Sequence, residues 1–76
     1  MAVLAPVVFS ATASGAVYLL EWVQFPEGGW GAEIAWMEWN GLAWQGRRRQ
    51  VIADDLTRIE GQDYSRVPRR RAKFPR

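Results

Sequence analysis

Arginine is the residue type in this chain with the clearest chemistry, because its planar guanidinium binds phosphates and carboxylates through paired hydrogen bonds. All ten Lys and Arg of the 76 residues lie after position 46. Residues 1–46 hold four Glu and no basic residue, a net charge of −4, whereas residues 47–76 hold ten basic and four acidic residues, a net charge of +6. This asymmetry predicts that the C-terminal part meets an acidic partner, either nucleic acid (DNA or RNA) or an acidic protein surface.

This prediction rests on two groups of basic residues. In the first, Arg47 and Arg49 project from one face of a predicted strand, next to Gln45 and the candidate ring Trp36, and Trp44 is a second candidate ring. Arginine beside exposed rings is typical of proteins that bind single-stranded nucleic acid. The second group is the C-terminal set of Arg66, Arg69, Arg70, Arg71, Lys73 and Arg76. The alternative for this second group is a solvated tail, or one that packs on the acidic side chains of the first half.

No constellation in the sequence favours catalysis or a metal site. The chain has no Cys and no His, which removes disulfides, thiolate ligands and the commonest general base. The adjacent Asp54 and Asp55 fit the cap of a turn better than an acid–base pair, and the glycines lack the spacing of a phosphate loop. We therefore expect a binding protein and not an enzyme, with no catalytic residue, no metal and no cofactor.

Short β-strands are the elements that must position these side chains. Strands are predicted over residues 3–12, 16–25, 31–39, 42–53 and 57–60, with a 3₁₀-like turn at 54–56. Glu21 and Gln24 break the alternation of the second strand, which indicates burial on both sides or a bulge. This pattern predicts an all-β fold, a small SH3-like five-stranded barrel over residues 1–61. A basic, Pro-punctuated, extended tail is predicted over residues 62–76.

The third and fourth strands are predicted to form a hairpin around Asn40-Gly41, the preferred two-residue hairpin turn. That loop pairs Trp39 with Leu42 and Glu33 with Arg48, and it separates an apolar face from a largely polar one. A short helix over residues 31–39 and another over residues 50–59 are the alternatives. In so small a barrel we expect three of the five Trp to be buried, which leaves Trp30 and either Trp36 or Trp44 exposed.

The first twenty residues carry no charge. Pro6 and several small polar residues interrupt the apolar run, and no positive charge precedes it, so a buried strand is favoured over a membrane span. The alternative is a targeting segment that is removed near Ser14, because Ala11-Thr12-Ala13 has the small-residue pattern of a cleavage site. We expect no membrane association and a cytoplasmic location.

Residues 17–26, Val-Tyr-Leu-Leu-Glu-Trp-Val-Gln-Phe-Pro, resemble the central strand of a chromodomain. The resemblance implies a small barrel in which Trp22 and Phe25 help to cage a methylated lysine through cation–π attraction. It covers ten to fourteen residues. The C-terminal helix of that family has no counterpart here.

Two functions follow from these features. The first is largely sequence-independent binding of nucleic acid through the Arg-rich tail and the Arg/Trp face of the hairpin. The alternative is a protein-interaction or assembly subunit, with homo-oligomers possible, in which Trp-rich surfaces form the contacts and the tail docks on a neighbour.

Overall fold

A computed structural model describes residues 5–72 and shows an all-β protein, as the sequence predicts. The strands are β1 (Val7–Ser10), β2 (Gly15–Gln24), β3 (Trp30–Trp39), β4 (Trp44–Ile52), β5 (Leu56–Arg58) and β6 (Arg69–Arg71). A 3₁₀ turn, Ala53–Asp55, precedes β5. The two regions for which a helix was the alternative, 31–39 and 50–59, therefore contain strands and this short turn. No helix within the described residues is long and apolar enough to cross a membrane.

The strands form one sheet in the order β4-β3-β2-β1-β5, with antiparallel neighbours. β6 lies off this path and pairs in parallel with β2. Within residues 5–72 the ladder ends at β4 on one side and at β5 on the other, so hydrogen bonds do not close the sheet. The structure thus establishes a small open β-sheet domain.

One edge of β2 is shared by segments from opposite ends of the chain. β1 pairs with residues 15–18 of β2, and β6 pairs with residues 22–24 further along the same strand. The backbone N–H of Leu19 donates to the carbonyl of Pro6, and that of Trp22 donates to the carbonyl of Pro68; each N···O distance is 2.8 Å. The sequence predicts an extended tail over residues 62–76; within the described part of that segment, β6 pairs with the portion of the β2 edge that β1 does not cover.

The core is aliphatic. It is formed by side chains from β1, β2, β3, β4 and the segment before β6, namely Val8, Val17, Leu19, Ala32, Ile34, Val51 and Val67. A bulge between Leu19 and Glu21 shifts the register, so that Leu19 and Trp22 both lie on the core side of β2. This bulge explains the broken alternation in the sequence.

No Trp is fully buried, which corrects the expectation of three buried rings. Trp22 and Trp36 pack partly against the core, and Trp30, Trp39 and Trp44 are exposed. The inward positions of so small a sheet are filled by aliphatic side chains, and the indoles therefore lie at the margin of the core.

The hairpin between β3 and β4 is confirmed, but its predicted register is wrong by two residues. Trp39 faces Trp44, and the loop holds four residues, 40–43, instead of two. The side chain of Asn40 explains the difference, because its Oδ1 accepts hydrogen bonds from the N–H groups of Leu42 and Ala43, both 2.8 Å long. Only Gly41 has a positive φ, 97°, whereas the two-residue turn needs positive φ at both central positions.

Candidate nucleic-acid interface

A cleft at one margin of the core brings together two indoles and two guanidiniums. It has a volume of about 350 Å³ and is lined by Trp22, Trp30, Arg58 and Arg69. Four separate strands supply these residues: β2, β3, β5 and β6. The cleft therefore exists only in the folded sheet, and no local stretch of sequence encodes it.

The turn between β2 and β3 positions the two Trp rings. Phe25 and Gly29 pair through an N–H to carbonyl bond of 2.8 Å, and Gly28 supplies the positive φ of 98° that the tight turn requires. The chain reverses so that Trp30 is the first residue of β3. In this register Trp30 faces Gln24, and Trp22 faces Ala32. Both rings consequently lie on the core-facing side of the sheet, at its end.

The two cationic side chains approach the rings from the other strands. Arg69 is the register partner of Trp22 in the parallel β2–β6 pair. Arg58 pairs with the buried Val8 of β1, and its guanidinium carbon lies 5.7 Å from the centre of the Tyr64 ring. The phenol oxygen of Tyr64 accepts a hydrogen bond from the N–H of Ile59 and donates one to a carbonyl of β1. The ring that supports Arg58 is therefore held in place.

The cleft has a positive potential. Among the described residues neither Arg58 nor Arg69 forms an ion pair with a carboxylate. Arg71 lies two residues after Arg69 on the same strand and so projects to the same side of the sheet, and it too has no ion pair in this part of the chain. The arrangement offers planar aromatic surfaces for stacking and guanidiniums for anions.

Two of the arginines that the sequence selected, Arg70 and Arg47, form ion pairs with carboxylates. Arg70 Nε lies 2.6 Å from Glu21, and its Nη2 lies 3.6 Å from Glu33. The hydrogen bond to Glu21 raises the pKa of Arg70. Arg48 also pairs with Glu33, over 2.7 Å, which makes a network of two acids and two bases on the outer face of the sheet. The alternative in which the C-terminal segment packs on its own acidic side thus holds for Arg70.

A second ion pair lies on the opposite face of the hairpin. Arg47 Nε is 2.9 Å from Glu38, whose carboxylate also accepts the indole N–H of Trp36 over 3.2 Å. The hydrogen bonds from Trp36 and Arg47 lower the pKa of Glu38, and the more distant charge of Arg49 acts in the same direction. Arg47 and Trp36 thus share the Glu38 carboxylate as their hydrogen-bond acceptor. Arg49 has no ion pair in the described chain.

The remaining predicted residues are dispersed. Arg66 lies in a different groove, beside Pro6 and Tyr18. Trp44 lies at the far end of the hairpin, edge-on to Trp39 with ring centres 5.7 Å apart. Lys73 and Arg76 lie outside the described residues. Of the predicted site, the structure therefore brings Arg69 to the cleft and places Arg71 on the same side of β6.

The methyl-lysine cage implied by the chromodomain resemblance is not formed. Phe25 is only 2% exposed and packs over Gly31, so its ring has no open face for a ligand. Trp22 does line a cleft, but Arg58 and Arg69 share that cleft and would repel a cationic ligand. The chemistry of the site favours an anion.

Arg58 is the cleft residue that sequence reasoning missed. It is an isolated basic residue between the two basic groups, and the pairing of β5 with β1 brings it to the rings. Trp30 and Trp22 carried a signal, since both belong to the aromatic stretch that flanks the Pro26–Gly28 turn.

No group of three or more Asp, Glu, His or Cys in residues 5–72 is arranged to hold a metal ion. Comparison of the chain with protein-family models, curated proteins and solved structures finds no match.

Proposed function

We propose that the protein binds single-stranded nucleic acid at the Trp22–Trp30–Arg58–Arg69 cleft, with little sequence preference. The observation that supports this proposal is the meeting of two accessible indoles with two guanidiniums that lack carboxylate partners in the described chain. Bases stack on rings whatever their identity, and arginines hold the backbone phosphates. Arg71, on the same side of β6, extends the positive surface along the path of a bound strand.

Duplex DNA fits this cleft less well. Its bases are stacked on each other and present no free faces to Trp22 and Trp30, whereas a single strand does. The arginines on the outer face of the sheet, Arg48 and Arg70, are committed to carboxylates and so contribute little to a wider phosphate-binding surface.

We also propose that the architecture is SH3-like. The 3₁₀ turn directly before β5 and the pairing of β5 with β1 support this arrangement. In it, the ends of the sheet approach each other by side-chain packing, and the cleft forms where residues of β2, β3, β5 and β6 converge.

The test is fluorescence anisotropy with labelled oligothymidylate and oligouridylate of about 15 nucleotides, a length that covers a typical site. A duplex of the same length serves as the competitor. If Arg58, Arg69 and Arg71 each meet one phosphate, the logarithm of the binding constant should fall with log salt at a slope of about −2.

Point variants locate the site better than truncation, because Val67 and β6 belong to the fold. Trp30→Ala should weaken binding by at least about fivefold, since one base–aromatic stack contributes about 1–3 kcal/mol. Arg69→Ala should weaken it comparably. Arg66→Ala is the matched control, because it removes the same charge from a different groove. Equal losses in Arg66→Ala and Arg69→Ala, tighter binding of duplex, or no binding at low salt would each reject the cleft as the site.

A further inference from the structure

The hairpin of β3 and β4 carries an exposed apolar surface that the cleft does not use. We call this surface the hairpin face, and it comprises Tyr18, Met37, Trp39, Leu42 and Trp44. Between 47% and 89% of each of these side chains is exposed. The register places Trp39 opposite Trp44, Met37 opposite Gly46, and Tyr18 opposite Ala35, all on the outer side of the sheet. Tyr18, Met37, Trp39 and Trp44 therefore form a strip on one face of the sheet, and Leu42 lies in the loop at the end of that strip.

This strip is large for a protein of this size. With full burial of an aromatic side chain at about 150–250 Å², the exposed parts of the five residues amount to on the order of 600 Å². The largest apolar patch on a typical monomer is about 300–600 Å² and is often functional. Two such surfaces in contact would bury about 1,200 Å², the lower limit for a specific protein interface.

The charges around the hairpin face indicate that its occupant is apolar and neutral. Glu21, Glu33, Arg48 and Arg70 border it on the same side of the sheet, and they neutralise one another through ion pairs of 2.6, 2.7 and 3.6 Å. A charged partner would have to break these pairs. A second copy of this chain presents the same neutral, apolar strip.

Gly46 adds a shape feature to this face. It lies in the interior of β4 opposite Met37, and a Cβ built there would meet only the Met37 sulphur, at 3.8 Å. The missing side chain leaves a shallow recess between Trp44 and Arg48. Glycine inside a strand often marks a place where another chain approaches closely. In a two-fold pair, an apolar side chain from the end of one hairpin can enter the recess of the other.

Edge-to-edge pairing is the competing route, and the sequence protects against it. β4 is an edge strand in the described sheet, and Arg47, Arg48 and Arg49 occupy its centre. Charged side chains on an edge strand discourage the addition of another strand. The hairpin face, and not the edge of β4, is thus the surface available to a second copy.

We infer that two copies of the chain associate face to face through Tyr18, Met37, Trp39, Leu42 and Trp44, with the recess at Gly46 at the contact. The interface is separate from the cleft. Loss of nucleic-acid binding in Trp30→Ala would therefore leave association intact, and the two proposals can fail independently.

Sedimentation equilibrium of the full chain over a wide concentration range tests this inference. The expected result is a reversible shift from 8.7 kDa to twice that mass, little affected by added salt because the four ion-paired side chains beside the hairpin face have no net charge. Trp44→Ser and Gly46→Val should each weaken dimerisation at least tenfold. Gly46→Val fills the recess with a residue that favours strands, so its monomer should fold at least as well as the parent.

Trp30→Ser is the matched control, because it removes an exposed indole of the same sheet that lies off the hairpin face. It should leave the dimer constant unchanged. A chain that stays monomeric at the highest concentration would overturn the inference. A dimer insensitive to Trp44→Ser and Gly46→Val would do the same. If the chain is monomeric and cosediments with phospholipid vesicles, and Trp44→Ser abolishes that cosedimentation, the hairpin face binds lipid and the inference is also rejected.

Discussion

Replacing Asp55 with asparagine should lower the free energy of unfolding by about 2 kcal/mol, because hydrogen bonds to a charged acceptor each contribute about 1.5–3 kcal/mol. The Asp55 carboxylate accepts bonds from Ser10 Oγ at 2.6 Å, Thr12 N–H at 2.8 Å and Thr12 Oγ1 at 2.7 Å. Asparagine retains one oxygen for Thr12 but presents an NH₂ group to the hydroxyl of Ser10, which is completely buried. The expected cost lies in the lower half of that range because the site is partly exposed.

The pH dependence of this effect follows from the ionisation of the same carboxyl. Burial disfavours the charged form of Asp55, but the hydrogen bonds from Ser10 and Thr12 outweigh burial and lower its pKa. A carboxyl whose pKa is lower in the folded chain stabilises the fold above its unfolded-state pKa, about 3.9. That contribution disappears as the pH falls through the folded-state pKa. The difference between the parent and Asp55→Asn should therefore be complete at neutral pH and shrink in acid.

Thermal unfolding followed by far-ultraviolet circular dichroism measures this difference. For a domain of this size, a loss of about 2 kcal/mol corresponds to a fall in Tm of about 8–16 °C. Asp54→Asn is the matched control, since Asp54 is the exposed neighbour in the same 3₁₀ turn, and its effect should stay within about 0.5 kcal/mol. Equal effects of the two substitutions would refute this assignment. So would a loss in Asp55→Asn that persists unchanged in acid.

Three further substitutions test how the domain is held together. Gly31→Ala should destabilise it by more than about 1 kcal/mol, because the new methyl would clash with the Val51 carbonyl and lie 2.6 Å from the Phe25 ring; a denaturant midpoint equal to the parent's would contradict this. Val67→Ala should cost about 1–3 kcal/mol in urea unfolding, since Val67 is part of the core, and a negligible loss would mean that the C-terminal segment does not pack. Tyr64→Phe should cost about 1 kcal/mol, because its hydroxyl links two backbone groups on different segments, and faster amide exchange at the freed N–H would identify that link.

The sequence predicted the β class, the hairpin and the 3₁₀ turn because each has a local signal. Crowded Val, Trp and Phe indicated strands, and Asn40-Gly41 indicated the reversal. The register depended on a local detail that the Asn-Gly pattern does not specify, the hydrogen bonds from two backbone N–H groups to the Asn40 side chain. The error was an even number of residues, so every side chain kept its predicted face. The predicted Glu33–Arg48 pair consequently exists, as a diagonal contact.

The parts of the site that escaped prediction depend on long-range pairing. β6 is three arginines after a proline and has no strand signal of its own; the uncovered edge of β2 determines its conformation. Arg58 reaches the indoles only because β5 lies beside β1. The sequence pattern paired Arg48 with Glu33 but gave no carboxylate partner to Arg47 or Arg70. The acidic neighbours that neutralise Arg47, Arg48 and Arg70 separate them from the arginines that remain available.

The divided edge of β2 has a consequence for synthesis on the ribosome. After residues 15–52 have emerged, β1, β2, β3 and β4 can already pair, yet the second half of the β2 edge stays open until Pro68 and β6 leave the exit tunnel. During that interval the nascent chain exposes unpaired N–H and C=O groups beside Trp22, a template on which another strand can add. Slower emergence of residues 53–71 from the tunnel should therefore increase co-translational aggregation, and faster emergence should reduce it.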